Sequence, residues 1–125
     1  MIHLDTGFLI RGLVADSSED GRLREWLLAE ERLGISAVAW TEFLCGPLAA
    51  REVELALQVV SEPEPFSRGD AELAASLFNR SGRRRGTLLD CMVAATAIRV
   101  GGTLATANPD DFQRFVPSGL RVLTA

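Results

Sequence analysis

Four acidic residues stand in marked settings along the chain. Asp5 ends the short apolar run Ile2-His3-Leu4, and Glu42 sits inside Ala39-Trp40-Thr41-Glu42-Phe43-Leu44. Asp90 joins Thr87-Leu88-Leu89 to Cys91-Met92-Val93-Ala94-Ala95-Thr96-Ala97, and Asp111 lies between Asn108-Pro109-Asp110 and Phe112. Each falls where a strand or helix is expected to begin or end. Carboxylates brought close together repel and raise one another's pKa, so a convergent set needs a compensating cation or retained protons. A hard divalent ion is the simplest compensation. Mg²⁺ suits it, because it prefers oxygen ligands and keeps several waters. The one histidine, His3, lies within the first strand and is expected to pack rather than ligate, which disfavours zinc. With 17 acids in 125 residues, four near element ends are ordinary by number, so the weight rests on their settings.

The elements that must position these acids follow from periodicity. Ile2 to Leu4 reads as a strand, and Gly7 to Val14 as a helix that begins at the Asp5-Thr6 turn. Glu19 to Arg32 places Leu23, Trp26 and Leu27 at helical offsets, with Gly34 as its stop. Ile35 to Ala37 reads as a second buried strand. A helix over Val38 to Ala50 carries Glu42 near its start and is disturbed by Pro47, and helix resumes over Arg51 to Val60. One more short strand is allowed before the Glu62-Pro63-Glu64-Pro65-Phe66 connection. Ser67 caps a helix to Asn79, and Thr87 caps another over Leu88 to Val100 that Gly101-Gly102 ends. Leu104 to Thr106 and Arg121 to Leu123 are the closing strands.

Short apolar strands alternating with helices imply an α/β sandwich with a short, mostly parallel central sheet flanked by helices. Loops beyond the carboxyl ends of such strands gather at one crevice, which would bring Asp5, Glu42 and Asp111 together with Asp90 joining from its helix. The length fits a single domain, 1–125, and 47% hydrophobic residues exclude disorder. No apolar run approaches the roughly 18 residues of a membrane span. Nothing at the N-terminus marks export, so a cytoplasmic location is the default expectation. A net charge of -4 argues against broad electrostatic binding of nucleic acid, though it leaves room for a local basic patch.

The settings of the acids resemble the PIN-domain ribonucleases, most closely the VapC-type toxins of toxin-antitoxin pairs. Ile2-His3-Leu4-Asp5-Thr6-Gly7-Phe8-Leu9-Ile10 is similar to the family's first motif, and Ile35 to Gly46 to its second. Arg85-Gly86-Thr87-Leu88-Leu89-Asp90 running into Ala94-Ala95-Thr96-Ala97 resembles the third. Thr103 to Phe112, with Gly119-Leu120-Arg121-Val122-Leu123 behind it, resembles the fourth and the tail. Any one motif is weak, but four in order over essentially the whole chain are specific. The resemblance implies a PIN-like three-layer α/β/α sandwich and a metal-dependent endoribonuclease that hydrolyses RNA phosphodiester bonds. Its acidic positions fall on Asp5, Glu42, Asp90 and Asp111 as the catalytic set. Asp5, Asp90 and Asp111 would hold Mg²⁺ or Mn²⁺, and Thr6 and Asn108 would orient them. Asp111 is preferred over Asp110 because it directly precedes Phe112 and follows Asn108 by three. Gly7 departs from the family, which often has Asn there. A homodimer, an RNA substrate and a cognate antitoxin are further implications.

Other readings attach to the same residues. A housekeeping RNA-processing nuclease of the same fold fits the acids equally, while the compact length favours a toxin. A non-catalytic binding module would be expected to have lost part of the acidic set, which is complete here. Asp5-Thr6-Gly7 also matches the catalytic triplet of aspartic proteases, but those are β-proteins and this chain has helical periodicity. All 13 basic residues are Arg, and Arg80, Arg83, Arg84 and Arg85 form the one dense group. Arg83, Arg84 and Arg85 are candidates for RNA backbone contact; the structural alternative is a solvated helix end. Cys45 and Cys91 are expected to be reduced and buried, and Trp26 and Trp40 to pack in the core or an interface. Leu44, Leu48 and the helix from Arg51 to Val60 would serve either core packing or a groove for a partner helix.

Overall fold

The computed structural model describes residues 1–125. In order along the chain come β1 (Ile2–Leu4), α1 (Thr6–Gly12), α2 (Ser18–Leu28), β2 (Leu33–Ile35), α3 (Ala37–Leu44) and α4 (Ala50–Val59). Then follow α5 (Arg68–Arg80), α6 (Leu88–Arg99), β3 (Thr103–Ala105), two 3-10 helices (Pro109–Asp111 and Gln113–Ser118) and β4 (Arg121–Leu123). The strands pair in the order β2-β1-β3-β4, every pair parallel. From β1 the chain moves outward to β2, then returns across to β3 on the other side. The order therefore reverses between β1 and β3, which is where the crevice of an open parallel sheet lies.

Each strand spans three residues, so the sheet is held by what covers it. Leu4, Ile35, Leu104 and Ala105 are fully buried. They join Phe8, Leu9, Phe43, Ala94, Ala97 and Phe115 in one core. Phe8 stacks on Trp26 at 5.6 Å between ring centroids, fixing α2 against α1. Trp40 is half-buried against Phe43, so both tryptophans pack as expected. The alanine-rich buried side of α6 allows close approach by neighbours; α5 and α3 both pack on it.

Serine caps set three helix starts. The Ser17, Ser36 and Ser67 hydroxyls accept from the N–H groups of Asp20, Ala39 and Asp70. Several sequence boundaries move as a result. The second strand ends at Ile35 rather than running through Ala37, because Ser36 is spent as the cap of α3. Gly34 is not a helix stop: it lies in β2 opposite His3, and a Cβ there would come within 2.9 Å of the His3 ring. The helix before it ends at Leu28, where Glu30 takes a left-handed conformation with φ 59. Thr87 does not cap α6 through its side chain, since its hydroxyl donates to the Arg84 carbonyl. Pro47 falls in the break between α3 and α4. The extra strand is one bridge, Ser36 with Glu64. Cys91 is buried, but Cys45 is exposed just beyond α3, correcting its expected burial.

Candidate active site

Asp5 leaves β1 at the reversal of strand order and caps α1. The Phe8 N–H donates to its Oδ1 at 2.7 Å, and the Thr106 hydroxyl donates to its Oδ2. Thr106, fully buried at the end of β3, also accepts from the Asn108 N–H at 2.9 Å. One hydroxyl thus ties the carboxyl ends of two neighbouring strands together. Thr6 performs a similar task across to α3: its hydroxyl is 3.1 Å from the Ala39 carbonyl and 3.3 Å from Glu42 Oε1. Ser36 starts α3 so that Glu42 comes round one and a half turns later.

These placements bring the four acids to one pocket of about 150 Å³, walled by Asp5, Glu42, Asp90 and Asp111 with Thr6, Asn108, Val93 and Phe112. Asp111 lines it and Asp110 does not. Asp111 arrives on the first 3-10 helix, whose turn is closed by the Asp111 N–H donating to the Asn108 carbonyl. Gly7 leaves open space beside Asp5, since a Cβ there would sit 3.8 Å from Asp5 Oδ1 and 4.0 Å from the Asn108 side-chain nitrogen. His3 stays in the core, away from this pocket. Burial lowers its pKa to about 4.

The electrostatics are those of uncompensated acids. Burial pushes the Asp5 carboxyl up; the Thr106 and Phe8 hydrogen bonds oppose the rise, and Glu42 and Asp111 add to it. Burial, with Asp111 next, raises Asp90 to about 6, and Arg114 pulls the other way. Arg114 Nη2 lies 3.7 Å from Asp90 Oδ2, beyond hydrogen-bond reach. As placed, no three acids converge closely enough to hold an ion together. The donor set nevertheless fits a hard divalent cation in kind: the acids offer carboxylate oxygens, two of them with raised proton affinity, and the one arginine nearby, Arg114, stays 3.7 Å from Asp90 without a hydrogen bond to it.

Two groups at this site were not singled out by residue type. Thr106 is signalled by a hydroxyl directly after the apolar pair Leu104-Ala105 that ends β3. Arg114 is signalled only by following Asp111 by three, at the start of the next 3-10 helix. Arg83, Arg84 and Arg85 sit exposed on the turn before α6, and none of them walls the pocket. Arg83 leans on the Phe78 ring at 5.5 Å.

Residues 2–116 match the family described as PIN domain. No curated protein matches the chain by sequence. Among solved structures, a chain of VapBC from Salmonella typhimurium bound to DNA superposes with a TM-score of 0.76 at 20% identity, covering 98% of this chain and 96% of that one. A chain of VapBC2 from Rickettsia felis, bound to a promoter DNA fragment, gives 0.75 at 19% identity over 100% and 99%. FitAcB from Neisseria gonorrhoeae gives 0.68 at 22% over 98% and 96%. At these identities the structures speak for the fold. The family match spans all four acids and nearly the whole length, and the chain belongs to the PIN-domain family.

Proposed function

We propose that this chain is a metal-dependent endoribonuclease and the toxin of a toxin-antitoxin pair. The observation that carries the reading is the meeting of Asp5, Glu42, Asp90 and Asp111 from four separate segments in one pocket at the crevice of the parallel sheet. Structural neighbours that are VapBC and FitAB complexes support the toxin assignment. Asp5, Asp90 and Asp111 would hold one or two Mg²⁺ or Mn²⁺ ions. Bound there, a divalent cation supplies acidified water and positive charge for the phosphate oxygens of the transition state.

The protein supplies placement. Asp5 is held at both oxygens, so its remaining lone pairs point into the pocket in one fixed orientation. Glu42 is steadied through Oε1 by Thr6, which keeps Oε2 for a ligand or for accepting a proton from the attacking water. Asn108 stands on the Thr106 hydroxyl and can orient Asp111 or water. Arg83, Arg84 and Arg85, on the turn leading to Asp90, would contact the RNA backbone without reading sequence.

An antitoxin partner would find an apolar groove of about 440 Å³ between the α1–α2 hairpin and α4, with Leu23, Leu27, Leu55 and Val59 along it and Arg24 and Arg51 at its edges. It takes in Val59 and Leu55 of the Arg51 to Val60 helix, but not Leu44 or Leu48. A homodimer and a cytoplasmic location belong to the same proposal. No helix is long and apolar enough to cross a membrane. Incubation of total RNA with the purified chain and Mg²⁺ or Mn²⁺ tests the chemistry: the wild type should cleave, and chelation or Asp90→Asn should stop it. Equal cleavage by Asp90→Asn at saturating metal would sink the assignment.

A further inference from the structure

Beside the acidic pocket lies a second cavity of about 260 Å³ whose polar lining is Arg80, Ser81, Arg114 and Ser118, with Leu77 and Phe115 beneath. Arg114 stands between the two. Its Nη2 is 3.7 Å from Asp90 on one side, while the side chain lines this cavity on the other. Its Nε and Nη2 are both buried, and neither has a hydrogen-bond partner. The guanidinium carbon lies over the Phe115 ring, 4.6 Å from its centroid, a cation–π contact that steadies the side chain. Arg80 donates only to the neutral Ser76 hydroxyl and meets no carboxylate. Arg80, which meets no acid, and Arg114, whose only acid is Asp90 at 3.7 Å and whose Nε and Nη2 make no hydrogen bond, share one hydroxyl-bearing cavity in a chain of net charge -4. Two guanidinium groups with no acid at hydrogen-bond distance and two hydroxyls make this cavity a place that suits an anion.

We infer that this cavity seats a backbone phosphate of the RNA strand next to the scissile one, with Arg114 and Arg80 as its cationic contacts. The inference rests on the ribonuclease reading above. Guanidinium N–H donors match phosphate oxygens: Arg80 is exposed and can offer its whole fork, and Arg114 can offer Nη1, since its Nε and Nη2 are buried. Placed against Asp90, Arg114 would also fix the spacing between the seated phosphate and the carboxylates, so that the strand enters the acidic pocket in one register.

The test uses full-length protein carrying Asp5→Asn, which binds without cutting, titrated with a short single-stranded RNA over a range of salt. Arg80→Gln and Arg114→Gln should each weaken binding about tenfold, and each should flatten the dependence of log affinity on log salt by about 0.7, one phosphate contact on a single strand. An RNA with one neutral methylphosphonate at the seated linkage should show the same loss, and Arg114→Gln should then cost nothing more. Arg80 is exposed, so its variant keeps the test valid if Arg114→Gln folds poorly. Unchanged affinity and slope in the Arg variants, while the wild type still cleaves RNA, would overturn the inference alone. Slower cleavage at unchanged affinity would also overturn it, making Arg114 a positioning residue for Asp90. Absence of both cleavage and binding in the wild type would remove the ribonuclease reading together with it.

Discussion

Two regions of this protein draw acids out of water and treat them oppositely: one around Asp70, the other around Asp5 and the partly exposed Asp90. Asp70, 1% exposed, is the capping-box acid of α5, and its oxygens receive Arg99 Nε at 2.6 Å, Arg99 Nη2 at 3.0 Å, the Thr96 hydroxyl at 3.0 Å and the Ser67 N–H at 3.1 Å. Arg99 reaches on to Glu64 at 3.0 Å and to the Pro65 carbonyl, tying α5 and α6 to the segment beside β2. Burial pushes the Asp70 carboxyl up, but these donors outweigh it and hold it below the usual carboxylate range. Asp5 and Asp90 have no such cation at hydrogen-bond distance, and both are raised. A fold able to satisfy a buried acid so fully at one end leaves two under-satisfied at the other. That contrast suits a structural role for the first and supports the proposed ion site at the second.

The widest separation between the two should be in activity. Asp5→Asn keeps the shape of the cap but removes a charge, and it should lower RNA cleavage by about a thousandfold or more, the scale of several kcal/mol of lost transition-state stabilisation. Its circular dichroism and melting should match the wild type or improve on it. Asp70→Asn should leave cleavage within about twofold wherever the protein is folded. A cleavage loss in Asp70→Asn as deep as in Asp5→Asn would erase the distinction.

Stability should divide the regions the other way. Removing one partner from a buried, hydrogen-bonded ion pair leaves the other uncompensated, and Arg99→Met should cost about 3 kcal/mol, since Arg99 itself is partly exposed. Denaturant unfolding checks this. At the acidic pocket the corresponding gain comes from ligand: Mn²⁺ at a hundred times its dissociation constant should add about 2.7 kcal/mol to the wild type at pH 7, and little to Asp90→Asn. Equal metal stabilisation of both proteins would place the ion elsewhere.

How far this contrast was legible in the sequence differs between its halves. The four acids could be picked out because each occupies a marked local setting, and the structure brings all of them to one pocket, with Asp111 rather than Asp110 on its wall. The Asp70 network could not be picked out. Its partners lie 26 and 29 residues away on another helix, and nothing local to Ser67-Arg68-Gly69-Asp70 distinguishes a cap from a cap with a buried arginine. Thr106 and Arg114 escaped for the same reason: their meaning depends on which strand or pocket lies opposite. Strand and helix identities followed from periodicity, while boundaries slipped where one residue does two jobs. Ser36 ends β2 by capping α3, and Gly34 serves a strand by making room for His3.

Acid should move the two regions in opposite directions. Asp90 has its folded pKa raised to about 6 from 3.8, so the native state binds this proton more tightly than the unfolded chain. Its ionised form opposes folding above about pH 6, and the penalty fades as pH falls toward 4. Asp90→Asn in metal-free buffer should therefore be more stable than the wild type at pH 7 to 8, by roughly 1 kcal/mol after allowance for solvent screening of this partly exposed group. The advantage should vanish near pH 4. Asp70 has a lowered pKa, so its stabilisation is present above the unfolded value and is lost only as pH falls through the folded one. Thermal melts of wild type, Asp90→Asn and Asp70→Asn from pH 3 to 8 separate the two slopes; a constant difference between wild type and Asp90→Asn would refute the Asp90 assignment.

The smallest effect concerns Gly7, where the family often carries Asn. A Cβ at this position meets only Asp5 Oδ1 at 3.8 Å and the Asn108 side-chain nitrogen at 4.0 Å, ordinary contacts that need no backbone shift. Gly7→Asn would put an amide between the two groups that frame the pocket at this corner. An added outer partner should tighten Mn²⁺ binding a few-fold, below the roughly tenfold that loss of an established one costs. Gly7→Ala is the control, gaining about 0.5 kcal/mol from helix propensity in α1 without an amide to offer. Calorimetric titration of both variants decides between uses of this space. Tighter binding in Gly7→Asn alone makes the missing amide a deficit in the support of Asp5; equal or weaker binding means the glycine keeps open a path by which water or the RNA strand approaches the carboxylates.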